Sequence, residues 1–557
     1  MDDDIQAPGA NPENLMSLVA AAFDGKVVVP EFQREFVWPR ESVEELLTSL
    51  LNRYFVGTLL TLDTPAHDPL FPFRVLEGVG EIRGPMAPPA GTVRLILDGQ
   101  QRLTSLFYAI NEPPIGLRGT THPYRFFVRL EPALAGDLDD AITGVSIGWS
   151  TGIQRMEKEV AAHRTLPLPV LAKHGLFYPW LYGQPVWDDD QKEELTALHR
   201  RLADFMIPVV SLVSETGADN IVNIFERVNR TGVPLSLFDL VAARMYLQGL
   251  VKPTLHDLWR AFKADHAELA DQIGADGMLR LVALLEGMEL KKATLLRLDS
   301  LGRDGFLARW KQASECLVQA WERLRVEYGA YGGRLIPYGT MLVPLAALLD
   351  HVKRQRLQAS AYRRLDTWYW RSVFGQRYES GVNNKITLDV TEVSTWCEGG
   401  VPPSWMSDLE VDDIPLDADA PRSAIYRGVL CLSALKGARD FCTGEPIALN
   451  ECEDDHVFAK GVYAGDHPVN GILNRAFIKK ECNNSKRAKT PDAFFAHCLD
   501  GHGGDEDLLL STLGSHLISK EGYRALLAND FPSFVAQRGI TVSHEISERI
   551  ATDRATG

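Results

Sequence analysis

The chain has 557 residues, too many for one ordinary hydrophobic core, so two or three domains are expected. A formal net charge of -16 argues against a non-specific nucleic-acid coat, although local basic patches can still hold DNA. No stretch approaches the apolar length of a membrane span, and Met1-Asp2-Asp3-Asp4 lacks a signal-peptide charge pattern, so a cytoplasmic protein with no membrane partner is expected.

Residues 1–12 read as a polar, poorly ordered start, followed by an amphipathic helix over 14–23 and a brief strand over 27–29. Two prolines and three aromatic rings within 30–39 then predict an ordered loop. Gln33 and Arg34 lie between the anchors Phe32, Phe36 and Trp38, where they either face a ligand or belong to a pinned surface loop. A helix is expected over 41–52, a strand over 57–62 and a Pro/Gly-rich loop over 64–91.

The apolar run 93–97 predicts a buried strand broken by Asp98 and Gly99. A helix follows over 100–110, with Leu103, Leu106, Phe107 and Ile110 on one face. A strand that delivers Asp-Gly to a helix N-terminus gathers free N–H groups at the positive end of a helix dipole, which suits a phosphate. Arg102 would offer its planar fork to the same anion. The plain alternative is that Asp98 caps the helix and Arg102 pairs with it.

Further strands are expected over 124–130 and 205–213, with short unreadable pieces over 131–200. A helix over 219–230 would leave Asn223, Glu226, Arg227 and Arg230 away from the core. Residues 251–395 are strongly helical in pattern, and the aromatic density around Trp368-Tyr369-Trp370 suits helix packing. The Gly-, Pro- and Asp-rich stretch 398–419 is the expected linker. The seven cysteines (316, 397, 431, 442, 452, 482 and 498) form no CxxC pair, which argues for reduced structural thiols and against a cysteine zinc site.

Residues 454–491 carry the strongest local chemistry. A histidine in a short strand, followed by asparagines on a loop and helix, is the ingredient list of a one-metal nuclease. His456 would act as general base on a water attacking a phosphodiester, while Asp455 and an asparagine would hold a hard divalent ion. Oxygen ligands beside one imidazole suit Mg2+ or Mn2+. Arg475, Lys479, Lys480, Lys486, Arg487 and Lys489 form a basic cluster suited to a phosphate backbone. A loop-rich domain with a buried histidine and solvated lysines is the plain alternative.

Three blocks taken in order, Phe32-Gln33-Arg34 with Trp38, Asp98-Gly99-Gln100-Gln101-Arg102, and Phe225-Glu226-Arg227-Val228-Asn229 with Gly232 and Leu235, resemble the GmrSD-type domain. That resemblance implies a ParB/sulfiredoxin-like α/β fold and binding of GTP or another NTP by Asp98, Gly99, Gln100, Gln101, Arg102, Gln33 and Arg34. Asp455-His456-Val457-Phe458, Ile472-Leu473-Asn474-Arg475 and Asn483 with Lys489 and Pro491 resemble a fused HNH endonuclease, although Ala459 stands where the family often carries proline. By that match His456 is the base, Asn474 orients the site, and Asp455 and Asn483 hold metal. Arg475, Lys479, Lys486, Arg487 and Lys489 would meet double-stranded DNA.

The expected class is α+β: a GmrSD-type domain over 1–250, a helical connector over 251–395, and a ββα-metal HNH domain within helices over 396–557. The resemblance implies an NTP-dependent endonuclease that cuts foreign, modified phage DNA, with Phe32, Phe36 and Trp38 as candidate walls of a modification pocket. A homodimer or partner proteins of a defence system fit the same picture. The alternative is a DNA-modification-sensing NTPase or binding subunit with secondary nicking. No GxxxxGK[ST] phosphate loop occurs, which argues against a translocating motor.

Overall fold

The computed structural model describes residues 10–551, apart from 32, 34, 35, 37, 87–88, 184–185, 214–235, 418, 420–422, 450–451, 453, 462, 464–468 and 488. Arg34, Phe32 and the whole 219–230 helix with its Phe-Glu-Arg-Val-Asn block therefore lie outside the described residues. The chain is mixed α+β and divides into two compact units, residues 1–256 and 257–557. Among the described residues no helix is long and apolar enough to cross a membrane.

Among the described residues of the first unit, nine strands form two sheets. They are β1 (Ala10–Asn14), β2 (Val27–Pro30), β3 (Leu59–Pro65), β4 (Phe73–Arg74), β5 (Thr92–Asp98), β6 (Tyr124–Arg129), β7 (Ile142–Ser146), β8 (Thr165–Pro167) and β9 (Met206–Val213). The larger sheet has the order β1-β9-β3-β5-β2-β4, and the smaller has the order β7-β6-β8. β5 lies inside the larger sheet, parallel to β2 and antiparallel to β3, which explains its apolar run. Helices Leu15–Phe23, Arg40–Leu51 and Gln100–Asn111 bury their apolar faces in one core with Val27, Val29, Leu59 and Ile96. The helical periodicity read from the chain is thus the packing face itself.

The polar start expected over 1–12 is corrected in part. Ala10–Asn14 pairs antiparallel with β9, Ala10 opposite Val210 and Asn14 opposite Met206. An edge strand needs only one bonded side, so polar residues such as Asn11 and Glu13 are tolerated there and hide the strand from a hydrophobicity pattern. Asn14 ends it and caps the next helix, its Oδ1 accepting from the Ser17 amide at 2.9 Å.

The second unit is built on long helices, among them Ala267–Leu285, Gly302–Tyr328, Leu342–Arg354, Ala359–Phe374 and Val382–Cys397. Trp368, Tyr369 and Trp370 are buried, and Tyr369 stacks on Tyr328 with ring centroids 3.8 Å apart. The fully buried Asp389 takes charge-assisted hydrogen bonds from Arg377, at 2.9 Å from Nε, with Tyr378 Oη at 2.6 Å and Trp368 Nε1 at 3.3 Å. The stretch expected as a linker turns through two 3-10 segments, Ser404–Asp408 and Val411–Asp413. Arg371 fastens it by donating to the carbonyls of Met406 and Leu409.

The expectation of seven reduced thiols is also corrected. Cys442 and Cys482 are joined by a disulfide, while Cys316, Cys397, Cys431, Cys452 and Cys498 are buried and free. The partners are 40 residues apart, so no local spacing announces them.

Replacing Asp389 by alanine would leave the largely buried Arg377, 11% exposed, without its counter-charge and should cost about 3 kcal/mol of stability. Chemical denaturation of the two proteins measures this; an unchanged midpoint would show that the Arg377 charge finds another partner.

Candidate functional site

Two places could carry chemistry, and the packing treats them differently. At the first, Gly99 takes φ 90°, the left-handed conformation that lets β5 turn directly into the helix Gln100–Asn111. A Cβ there would meet the Leu59 Cδ2 at 2.2 Å, and one on Gly57 would meet the Arg102 Nη1 at 2.2 Å, so both glycines make room for a neighbour. Arg102 fills that room. Its Nη1 donates to the Val56 carbonyl, and its Nη2 donates to the Thr58 carbonyl at 2.8 Å and lies 3.4 Å from Asp98 Oδ2. Burial lowers the Arg102 pKa, with Asp98 opposing, and burial raises that of Asp98, with Arg102 opposing.

The fork expected to face an anion is therefore spent on the backbone of the 56–58 loop. Of the plain alternative the Arg102–Asp98 pair is present, with two carbonyls added, but the helix starts at Gly99 and has no side-chain cap from Asp98. Gln33 behaves alike: it is 6% exposed, and its Nε2 donates to the Ile96 and Leu97 carbonyls, each at 2.8 Å. Gln100 and Gln101 are buried at the first turn of the helix. Phe36 and Trp38, named as pocket walls, are half-buried and pack on the main core, Phe36 against Tyr108 at 6.2 Å between rings.

The second place has a different character. Strand β10 (Asp454–His456) pairs antiparallel with β11 (Arg475–Phe477), His456 opposite Arg475, and the short helix Lys480–Lys486 follows. His456 is held from both sides of its ring. Nδ1 lies 3.2 Å from Asp455 Oδ1, and Nε2 lies 3.1 Å from Asn470 Oδ1. Across the site, Asn483 on the helix donates its Nδ2 to Asp455 Oδ2. Lys486, one turn later, donates to the His456 carbonyl and stands 3.8 Å from Asp455 Oδ1. The Asp455 carboxyl is held well below the usual carboxylate range, first by its hydrogen bond to His456, with the Lys486 charge assisting. It therefore stays ionised at neutral pH.

Asn474 is fully buried, and its amide is spent on the backbone. Its Oδ1 accepts from the Phe458 amide at 2.8 Å, and its Nδ2 donates to the carbonyls of Phe458 at 3.1 Å and Val469 at 2.9 Å. It positions the turn after the histidine strand and does not touch the imidazole. The residue that does is Asn470, exposed at the site, which the sequence signals only as an Asn-Gly turn. From below, fully buried Arg538 donates to the carbonyls of Leu473 at 2.9 Å and His516 at 3.1 Å, bracing the same turn.

The basic cluster separates into two kinds. Arg487, Lys489 and Lys480 are exposed; Lys479 lies 3.5 Å from Glu445, and Arg475 lies 3.8 Å from Asp454. Lys486 is 3% exposed and faces inward, so its expected contact with a phosphate backbone gives way to the clamp on Asp455 and the His456 carbonyl. Burial lowers its pKa to about 8, with Asp455 opposing. Asp455 Oδ2 accepts from the Asn483 amide nitrogen across the site; with that amide turned over, its oxygen and the carboxylate would give two oxygen donors beside one imidazole, a set that fits a hard divalent ion.

Residues 17–246 match the family model described as "GmrSD restriction endonuclease, N-terminal domain". The chain is also similar to the uncharacterized protein MJ0686 of Methanocaldococcus jannaschii, 29% identical over 566 residues that cover 93% of each chain. The domain match spans both Gln33 and the Asp98–Arg102 turn, and the longer similarity extends past it.

Two predictions follow from these clamps. Arg102→Ala strips donors from two carbonyls and should cost at least about 2 kcal/mol of stability. An unchanged denaturation midpoint would mean that the arginine does not hold the loop. Folded Lys486 loses its proton near pH 8, whereas the unfolded chain keeps it to about 10.5. Between those values the unfolded state binds more protons, so this group's contribution to stability rises with pH. The stability gap between wild type and Lys486→Met should therefore move in favour of wild type across that window; a gap independent of pH would rule out a buried ammonium.

Proposed function

We propose that this chain is a restriction-type DNA endonuclease acting against foreign DNA, with its cleaving centre at His456. The observation that carries the reading is the held imidazole: a carboxylate at Nδ1, an exposed amide at Nε2 and a second amide facing that carboxylate, all beside exposed cations. The match of residues 17–246 to the N-terminal domain of GmrSD restriction endonucleases supports the same class. The order of β10, β11 and the helix Lys480–Lys486 is that expected of the ββα-metal unit of HNH nucleases, and we assign residues 396–557 to that domain.

Asp455 at Nδ1 favours the Nδ1–H tautomer, and Nε2 can take a proton once the Asn470 oxygen that now faces it gives way to a donor. A water in the place where Asn470 meets Nε2 would lose its proton to His456 as its oxygen bonds to phosphorus and the bond to the leaving sugar oxygen breaks. Asp455 stays ionised and stabilises the imidazolium that results. Asp455 and Asn483 are the residues that would hold Mg2+ or Mn2+, which would supply charge neutralisation at the phosphate. Arg475, Lys479, Arg487 and Lys489 would receive the duplex backbone.

For the first unit we propose GTP or another NTP near the Asp98-Gly99 turn, as the resemblance of the Asp98-Gly99-Gln100-Gln101-Arg102 motif implies. Arg102 and Gln33 would support such a site by holding its walls, since their donors are occupied. Modified phage DNA is the proposed target, and nucleotide turnover would then set the state of the nuclease by coupling between sites.

Cleavage of supercoiled plasmid by wild type and His456→Ala, with Mg2+ or Mn2+ and with or without GTP, tests this function. Metal-dependent nicking should fall by at least about a hundredfold in the variant. Equal nicking by the two proteins would reject His456 as the base. If wild type leaves both plain plasmid and modified phage DNA intact, the nuclease assignment fails.

A further inference from the structure

We propose that the sulfurs of Cys442, Cys482 and Cys498 form a zinc site in the reduced protein, separate from the nuclease centre. Their three Sγ atoms lie within 4.8 Å of one another, although the residues come from three different segments. Cys442 follows the turn at Asp440, Cys482 sits in the helix Lys480–Lys486, and Cys498 sits in the helix Pro491–Gly501. A disulfide between the first two needs no third sulfur, yet Cys498 Sγ is 3.9 Å from Cys442 Sγ. Two thiolates on one tetrahedral zinc, each with a bond of about 2.3 Å, stand about 3.8 Å apart.

The packing brings this third sulfur in at close quarters. Gly501 ends the Cys498 helix against the carbonyl of Cys442, where a Cβ would come within 2.1 Å of that oxygen. A second observation points to a cation. Asp440 is 1% exposed; its Oδ1 accepts from the amides of Cys442 and Thr443, each at 3.1 Å. Its Oδ2 is buried with no hydrogen-bond partner among the described residues. The Asp440 charge is near enough to act on the Cys498 thiol; a buried carboxylate oxygen without a donor is costly, and a divalent ion held by the three sulfurs would offset part of that cost. Soft thiolates select zinc over the hard ions suited to Asp455.

Binding releases the thiol protons to solvent, three per ion when all three are protonated. From the bridged form, a dithiol reductant first supplies two electrons and two protons to Cys442 and Cys482 and is itself oxidised to its disulfide. The site would fasten the helix Lys480–Lys486, so the metal would hold the element that carries Asn483 and Lys486.

The test uses the full-length protein, purified under dithiothreitol, with zinc measured by elemental mass spectrometry. One zinc per chain is expected in wild type and in His456→Ala, and less than a tenth of that in Cys498→Ser. Cobalt loading of wild type should give a thiolate-to-cobalt charge-transfer band that is absent in Cys498→Ser. Should that variant fail to fold, thiol titration of wild type replaces it: chelation should expose three further reactive thiols. Absence of zinc and of the cobalt band from reduced wild type would overturn the site. So would zinc that survives Cys498→Ser and leaves with His456→Ala, since that ion would belong to the nuclease centre.

Discussion

The amide of Asn474 is the interaction on which the second site rests. The turn after β10 has no regular ladder beyond its three paired residues, so its backbone groups need donors and acceptors from elsewhere. Asn474 supplies both: its oxygen takes the Phe458 amide and its nitrogen serves the carbonyls of Phe458 and Val469. With those bonds made, Val457 and Phe458 can point into the apolar cluster of Phe494, Phe495, Phe531 and Phe534, and His456 is left at the rim. An aspartate there would lack the two donated hydrogens, and a leucine would lack all three bonds. The asparagine thus shapes the site through the backbone, one step removed from the imidazole.

Arg102, Gln33, Arg371 and Arg538 repeat this logic. Each is a polar side chain whose donors end on main-chain carbonyls: Val56 and Thr58, Ile96 and Leu97, Met406 and Ile550, Leu473 and His516. Irregular turns present carbonyls that no helix or sheet satisfies, and a buried guanidinium or amide answers them at short range. An arginine in a glycine-flanked motif has two physical explanations: an anion, or a turn that must be locked. The local sequence does not separate them, because Gly57, which clears the space for the guanidinium, lies 45 positions upstream of Arg102.

Where hydrophobic period alone decides the structure, the chain is legible. The buried strand over 93–97, the helix after it and the face Leu103, Leu106, Phe107 and Ile110 follow from apolar spacing and recur in the core. The edge strand Ala10–Asn14 is not legible, because solvent on one side removes the apolar signal. In the second site, His456, Asp455 and Asn483 are legible as chemistry and do meet. Lys486 is misleading, because a lysine in a run of cations reads as solvated while its depth depends on the packing of a seven-residue helix. Long-range geometry also hides Cys498 from Cys442, since nothing in a spacing of 56 residues predicts adjacent sulfurs.

The depth of Lys486 has a consequence for the charge balance around His456. Burial alone would favour a neutral amine, and Asp455 is the counter-charge that opposes this. The same carboxylate faces His456 Nδ1, so one anion serves two bases. When the imidazole is neutral, Asp455 and Lys486 balance. If His456 takes a proton as proposed, the trio would carry one net positive charge beside the attacked phosphate. In the proposed reaction that charge would arise as negative charge grows on the phosphate oxygens, so the low dielectric that penalises Lys486 at rest would strengthen the attraction. A surface lysine could not do this, because water would screen it. Under the proposed mechanism the inward position would give this cation an electrostatic part that a simple phosphate contact would not provide.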